Sequence, residues 1–375
     1  MRIPRPSTTF FEYAEDKGPV VTEFDAISEV ISFPALIAAS GRSRSLEGFM
    51  DRKGRTFASA GCHYIQRNLA DAEASQLDGK FCFTVFDVIP YQLVDVFSLA
   101  LSIPSFFGEL GDPGLEDLER VRAREKPAGF GFFRSSSKDP LLARSELAFP
   151  LCPIREEAAL YFTGLALDAI WSHEIGHAFM GHLGFAFENF GLRALNEVPD
   201  ENGSLSQMPL EAEADRFSAN VILQSAFGQI PYLPRRLNTV SVETRVKAAF
   251  VASAVLTWLW AYLQRIDRSF DGIDPYEKGG HPPPLARFHL VFESNRDFLK
   301  RLGWGASSIE KMIFEAMSEL EHLAVGKDWF SILHPERTFS QTSKNFFNDL
   351  KQIMGNEFAR INEGLKPFRF NPPTK

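Results

Sequence analysis

Cysteine is scarce in this chain: its 375 residues include three, Cys62, Cys82 and Cys152. An odd number without CxxC spacing argues against both a disulfide framework and a thiolate zinc cluster, and it fits a reducing compartment. Also missing is any run of Arg and Lys interleaved with aromatics that could follow a phosphate backbone. With 40 Lys+Arg against 48 Asp+Glu the formal charge is -8, so nucleic acid is not an expected partner. No repeat period or long low-complexity tract appears. The first residues, MRIPRPSTTFFEYAEDKG, hold no apolar core of signal-peptide length and meet acidic residues early, which predicts a cytoplasmic protein.

Long apolar runs are nearly absent as well. The one candidate, AAFVASAVLTWLWAYLQ (248–264), carries no formal charge but includes Ser253, Thr257, Tyr262 and Gln264. It falls short of the roughly 20 apolar residues that a bilayer span needs, so it predicts a central buried helix. Membrane attachment through this segment is the alternative.

The chain does have enough apolar content, 45%, to bury a sizeable core, and its length suits two domains or one large one. Its character changes near residue 150. Upstream, β-branched and aromatic runs such as FCFTVFDVI (81–89) alternate with Gly/Pro/Ser-rich joints, and EKPAGFGFFRSSSKDP (125–140) reads as a long loop. Downstream, helical periodicity dominates. The expected fold class is therefore α+β and helix-rich, with a smaller N-terminal α/β region over 1–150 and a helical catalytic domain over 151–370. A first helix opens after Pro153 and runs to about residue 180, with Gly181 and Gly184 as stops. The polar stretch 196–209 separates it from a second, roughly Leu210 to Phe227. The apolar helix 245–264 and further helices to about 365 follow, and the tail FNPPTK is expected to be disordered.

Inside the first helix lies His173-Glu174-Ile175-Gly176-His177, an HExxH motif. Residues four apart share a helix face, so the imidazoles of His173 and His177 can converge on one ion while Glu174 is offset toward a bound water. Zinc, one per chain, would lower that water's pKa toward 7, and Glu174 would act as general base, passing the proton to the leaving amine. Downstream stands Glu211-Ala-Glu-Ala-Asp215. Glu211 and Asp215 are one helical turn apart, so Glu211 can be the third ligand while Asp215 orients His173 from behind. Glu213 points about 200° away from Glu211 and cannot share the ligand role. His182 lies about 140° round the helix from His177 and reads as a helix C-terminal cap. In HPPPLAR (281–287) three prolines fix the backbone beside His281. That segment is either a rigid loop introducing the next helix or a means of presenting His281, or failing that Arg287, to an oxyanion. His63, His289, His322 and His334 read as structural.

With these residues assembled, the chain resembles the gluzincin metallopeptidases, in which HExxH is followed by a helix bearing ExxxD. HExxH, then E-x-E-A-D-R-F-x-A, an apolar helix and HP-x(4)-R look closest to the CAAX prenyl protease, HtpX and BlaR group. Position 183 is Leu, where a metzincin would have its third histidine. Relatives in that group embed the site between transmembrane helices, and this chain is in that respect more similar to the Lit-type phage-exclusion peptidases, cytoplasmic enzymes that cut a host translation factor. The resemblance covers about 155–290. It implies a zincin-like catalytic domain, His173, His177 and Glu211 as ligands, Glu174 as base, Asp215 behind His173, and His281 with Arg287 near the site. The expected activity is a zinc-dependent endopeptidase of restricted specificity on an intracellular protein or peptide. The alternatives are a catalytically silent zinc-binding pseudopeptidase that binds or senses a partner, and a membrane-attached protease. By analogy with gluzincins, SELAFPL (145–151) is the candidate edge strand for an extended substrate.

Overall fold

The computed structural model describes residues 5–15, 17–22, 26–66, 71–122, 149–191, 204–228, 235–237, 240–263, 282–326, 336 and 340–371. Its elements run α1 (Thr8–Ala14), α2 (Ala26–Ser45), β1 (Ser59–Ile65), β2 (Ala72–Leu77), β3 (Lys80–Phe86), α3 (Val88–Leu101), α4 (Leu118–Arg122) and α5 (Pro153–Phe179). They continue with α6 (His182–Phe190), α7 (Ser204–Phe227), α8 (Val242–Leu263), α9 (Pro284–Arg301), α10 (Ala306–Gly326) and α11 (Gln341–Leu365). The chain is thus α+β and helix-rich, with one small sheet.

The sheet has the order β1-β3-β2, with β1 parallel and β2 antiparallel to β3. Asp78 and Gly79, at φ 49° and 75°, supply the two left-handed positions of the tight turn that joins β2 to β3. Val20 bridges Ile65 on the outer side of β1. Among the described residues no strand pairs with the outer edge of β2.

Helix α5 organises the rest. Pro153 occupies its first turn, and the Glu116 carboxylate accepts from the backbone N–H of Leu151 and Cys152, both at 3.0 Å, just ahead of it. Such partners satisfy donors near a helix start that have no intrahelical acceptor. Arg155, wholly buried, spends all five guanidinium N–H groups on backbone carbonyls. Nε donates to Leu101, Nη1 to Phe107 and Leu110, and Nη2 to Ile103 and Phe106, at 2.7 to 3.1 Å. One side chain thereby fixes the irregular turn after α3. From Ala158 to Ala178 almost every α5 residue is buried, as befits a helix that is apolar on all sides. It packs on α2, α3, the sheet, α7 and α8.

One contiguous apolar cluster includes residues from both sides of position 150, among them Phe83, Phe97, Phe162, Trp171, Phe250 and Phe288. The segment expected as a central buried helix lies in α8, where Val246 to Leu259 are mostly inaccessible. No helix among the described residues is long and apolar enough to cross a membrane.

Two sequence expectations need correction here. Gly184 does not stop a helix. Gly181, at φ 86°, is the break between α5 and α6, and Gly184 lies inside α6, where a Cβ would come within 2.9 Å of the Phe368 ring. The tail is ordered at its start, since Phe370 is buried between Phe57 and Phe81 and Asn371 bridges Met50. Of the candidate edge strand SELAFPL, 145–148 lie outside the described residues and 149–151 form no strand; among the described residues the outer edge of β2 has no paired strand. The loop proposed over 125–140 also lies outside the described residues.

Candidate metal centre

The facing surfaces of α5 and α7 carry the site. Glycine at 176 permits their close approach, for a Cβ there would stand 3.1 Å from the Phe217 ring of α7. His173 and His177, one turn apart on α5, face Glu211 on α7. The two Nε2 atoms are 3.0 Å apart, and the Glu211 carboxylate lies 3.1 Å from His173 Nε2 and 3.5 Å from His177 Nε2. Donors about 2.0–2.1 Å from a tetrahedral zinc stand about 3.3 Å from one another. His173, His177 and Glu211 therefore form a group that could hold a metal ion.

Each imidazole is held from its other nitrogen. His173 Nδ1 sits 3.0 Å from Asp215 Oδ1. Asp215 also accepts a forked pair of bonds from Arg287, Nε at 2.8 Å and Nη2 at 2.5 Å. Burial alone would raise the Asp215 carboxyl, but Arg287 and His173 beside it hold it far below the usual carboxylate range. Arg287 is thus placed behind His173 as the anchor of Asp215, with two of its donors engaged there. His281, its proposed companion, lies outside the described residues.

His177 leans on a residue that sequence reasoning assigned elsewhere. His182 is no C-terminal cap. It opens α6, is wholly buried, and puts Nδ1 3.0 Å from His177 Nδ1. The 140° offset assumed an unbroken helix, and the left-handed turn at Gly181 breaks it. Glu213, which the helical wheel turned away from Glu211, meets His182 Nε2 at 2.9 Å, and Arg369 donates to both its oxygens. Arg369 carries no local sequence signal. The glycine before His182 is the one hint that the chain reverses there.

Among the titrating groups, burial lowers His177 to about 4, which suits an imidazole that must be neutral to bind metal. For His173 burial acts in the same direction, but Asp215 and Glu211 outweigh it and raise the ring to about 10. Glu174 is 7% exposed. Burial first, then Glu211, Asp71 and Glu73, push its carboxyl up to about 8 against the pull of His173. The start of β2 therefore lies electrically close to Glu174. The remaining histidines described are placed apart from the cluster: His63 is buried beside Phe10, His289 stacks on Phe347, and His322 lies 3.8 Å from Glu319 on α10. No family model, curated protein or solved structure matches this chain.

Proposed function

We propose that this chain is a zinc-dependent endopeptidase of the gluzincin kind, with a zincin-like catalytic unit built on α5 and α7. The observation that carries the reading is the convergence of two Nε2 atoms and a carboxylate at 3.0 to 3.5 Å, with a further buried carboxylate one residue from the first ligand. Two imidazoles and one Glu are the donor set of hydrolytic zinc sites that keep a position open. Zinc held there would supply Lewis acidity, polarising a scissile carbonyl and lowering the pKa of water toward neutrality.

The chain's own groups do the rest. Glu174 takes the proton from the attacking water and passes it to the leaving amine, and a carboxyl whose proton affinity is raised by burial suits that double duty. Asp215 keeps the His173 Nδ1 proton in place, so that Nε2 presents its lone pair. The same donor set also binds iron in oxygenases, and a buried base beside it favours hydrolysis. The outer edge of β2, with which no strand pairs among the described residues and whose first residues lie electrically close to Glu174, would offer an extended peptide a backbone to pair with. A pseudopeptidase is less well supported, because the base is present.

The test compares wild type with Glu174→Gln on an intracellular protein extract, reading new peptide termini. Glu174→Gln should keep zinc and fold yet lose cleavage by about 10²-fold or more. It should also retain the substrate that wild type cuts. Cleavage by Glu174→Gln at the wild-type rate would sink the assignment.

A further inference from the structure

A second polar chain runs behind the metal cluster, and peptide hydrolysis as set out above does not use it. From His177 Nδ1 it passes to His182 Nδ1 at 3.0 Å, from His182 Nε2 to Glu213 Oε2 at 2.9 Å, and from Glu213 to Arg369 Nη2 at 2.8 and 3.0 Å. Its direction follows from donor chemistry. A guanidinium only donates, so Glu213 accepts from Arg369 and can accept again from His182 Nε2–H. The His182 Nδ1 lone pair is then free to accept from His177 Nδ1–H. That leaves the lone pair of His177 Nε2 facing His173 and Glu211. The same logic runs from Arg287 through Asp215 to His173, and the second arm is longer by one imidazole.

Arg369 arrives from the C-terminal end of the chain. Residues Lys366–Phe368 form a short 3-10 turn, and the segment is then tied down on both sides. Pro367 O accepts from Arg52 N at 3.1 Å, Phe370 N donates to Phe179 O at 3.1 Å, and Asn371 exchanges backbone bonds with Met50 at 3.0 and 3.2 Å. The strap presses against the turn that presents His182: a Cβ at Gly181 would come within 2.6 Å of the Phe368 carbonyl carbon. His182 is 0% exposed, and the side chains of Glu213 and Arg369 are 17% and 29% exposed, so solvent can reach only the outer end of the chain.

We propose that His182, Glu213 and Arg369 are positioning residues that fix the tautomer and ring plane of His177, and that the C-terminal strap Lys366–Asn371 is thereby part of the metal centre. The inference rests on the metal-site reading above. Partners that orient a ligating imidazole typically change metal affinity by about 10–100-fold, so Arg369, far from the cluster in sequence, should affect how tightly it holds zinc.

The experiment uses the full chain, stripped and reloaded with zinc or cobalt(II). Zinc affinity is read by competition with a chelator, folding by circular dichroism of the metal-free protein, and ligand geometry by the cobalt absorption bands. Glu213→Gln and Arg369→Ala should weaken zinc binding by about 10–100-fold and shift the cobalt bands, while Arg369→Lys recovers part of the affinity. A purely structural role would lower the melting temperature and leave the cobalt bands where they are, which would overturn the proposal. Should a single variant fail to fold, Glu213→Gln with Arg369→Gln removes both charges together and carries the same expectation. Folded variants with wild-type affinity and bands sink the relay alone. A wild-type chain that binds neither metal sinks the metal-site reading and the relay with it.

Discussion

Removing the carboxylate of Asp215 should damage two properties that a second substitution can separate. Asp215 is 7% exposed and serves His173 Nδ1 at 3.0 Å and Arg287 at 2.8 and 2.5 Å. In Asp215→Ala the guanidinium of Arg287, 13% exposed, is left without its partner, and breaking a buried pair in this way costs about 3–5 kcal/mol of stability. His173 loses its acceptor at the same time, which should weaken zinc binding about 10–100-fold, or roughly 1.4–2.7 kcal/mol. Adding Arg287→Met removes the stranded charge and fills its space with an apolar chain. The double variant should therefore recover most of the lost stability and none of the lost affinity. Urea unfolding of the metal-free protein reads the first quantity and chelator competition the second. If Asp215→Ala binds zinc as wild type does, or if the double variant regains affinity together with stability, Asp215 does not act on His173.

Two further predictions concern the scaffold. Burial lowers His63 from 6.5 to about 4, so between those values the unfolded chain takes up the proton first; the stability this group confers is complete above pH 6.5 and is lost as pH falls toward 4. Between pH 7.5 and pH 5 wild type should lose about 2 kcal/mol more than His63→Leu in urea unfolding, and equal pH dependence would show that His63 does not titrate in this way. Arg155→Met removes a donor from five buried carbonyls, of which Ile103 O and Phe107 O keep a backbone partner, and should destabilise the chain by at least about 3 kcal/mol, read from the urea midpoint; a loss under about 1 kcal/mol would contradict its role in fixing the turn after α3.

What could be read from the sequence follows the range of each interaction. His173 with His177, and Glu211 with Asp215, are pairs one helical turn apart, so spacing alone placed all four residues in one cluster once both helices formed. The uncharged run 248–264 likewise predicted a buried helix, and its residues 248–259 lie mostly buried in α8. The outer supports were hidden for a different reason. His182 turns back through a backbone angle that only Gly181 permits, and Arg369 reaches Glu213 across 156 residues of chain. Arg155 and its carbonyls are also paired only by tertiary folding, with no spacing that marks them. The expected substrate edge at 145–151 falls mostly outside the described residues, and among those described the unpaired outer edge is that of β2, because the strands pair in the order β1-β3-β2. The tail FNPPTK carries no signal of the tertiary contact that orders its start, where Phe370 packs on Phe57 and Phe81.

The central claim is that His173, His177 and Glu211 hold one catalytic zinc, and metal content per chain tests it most directly. Wild type and Glu174→Gln, purified, stripped and reloaded, should each retain about one zinc per chain by elemental analysis, whereas His177→Ala and Glu211→Ala should retain almost none, since each lacks one of three protein ligands. Stoichiometric zinc in the two ligand variants, or a wild-type chain that takes up iron in place of zinc, would contradict the account.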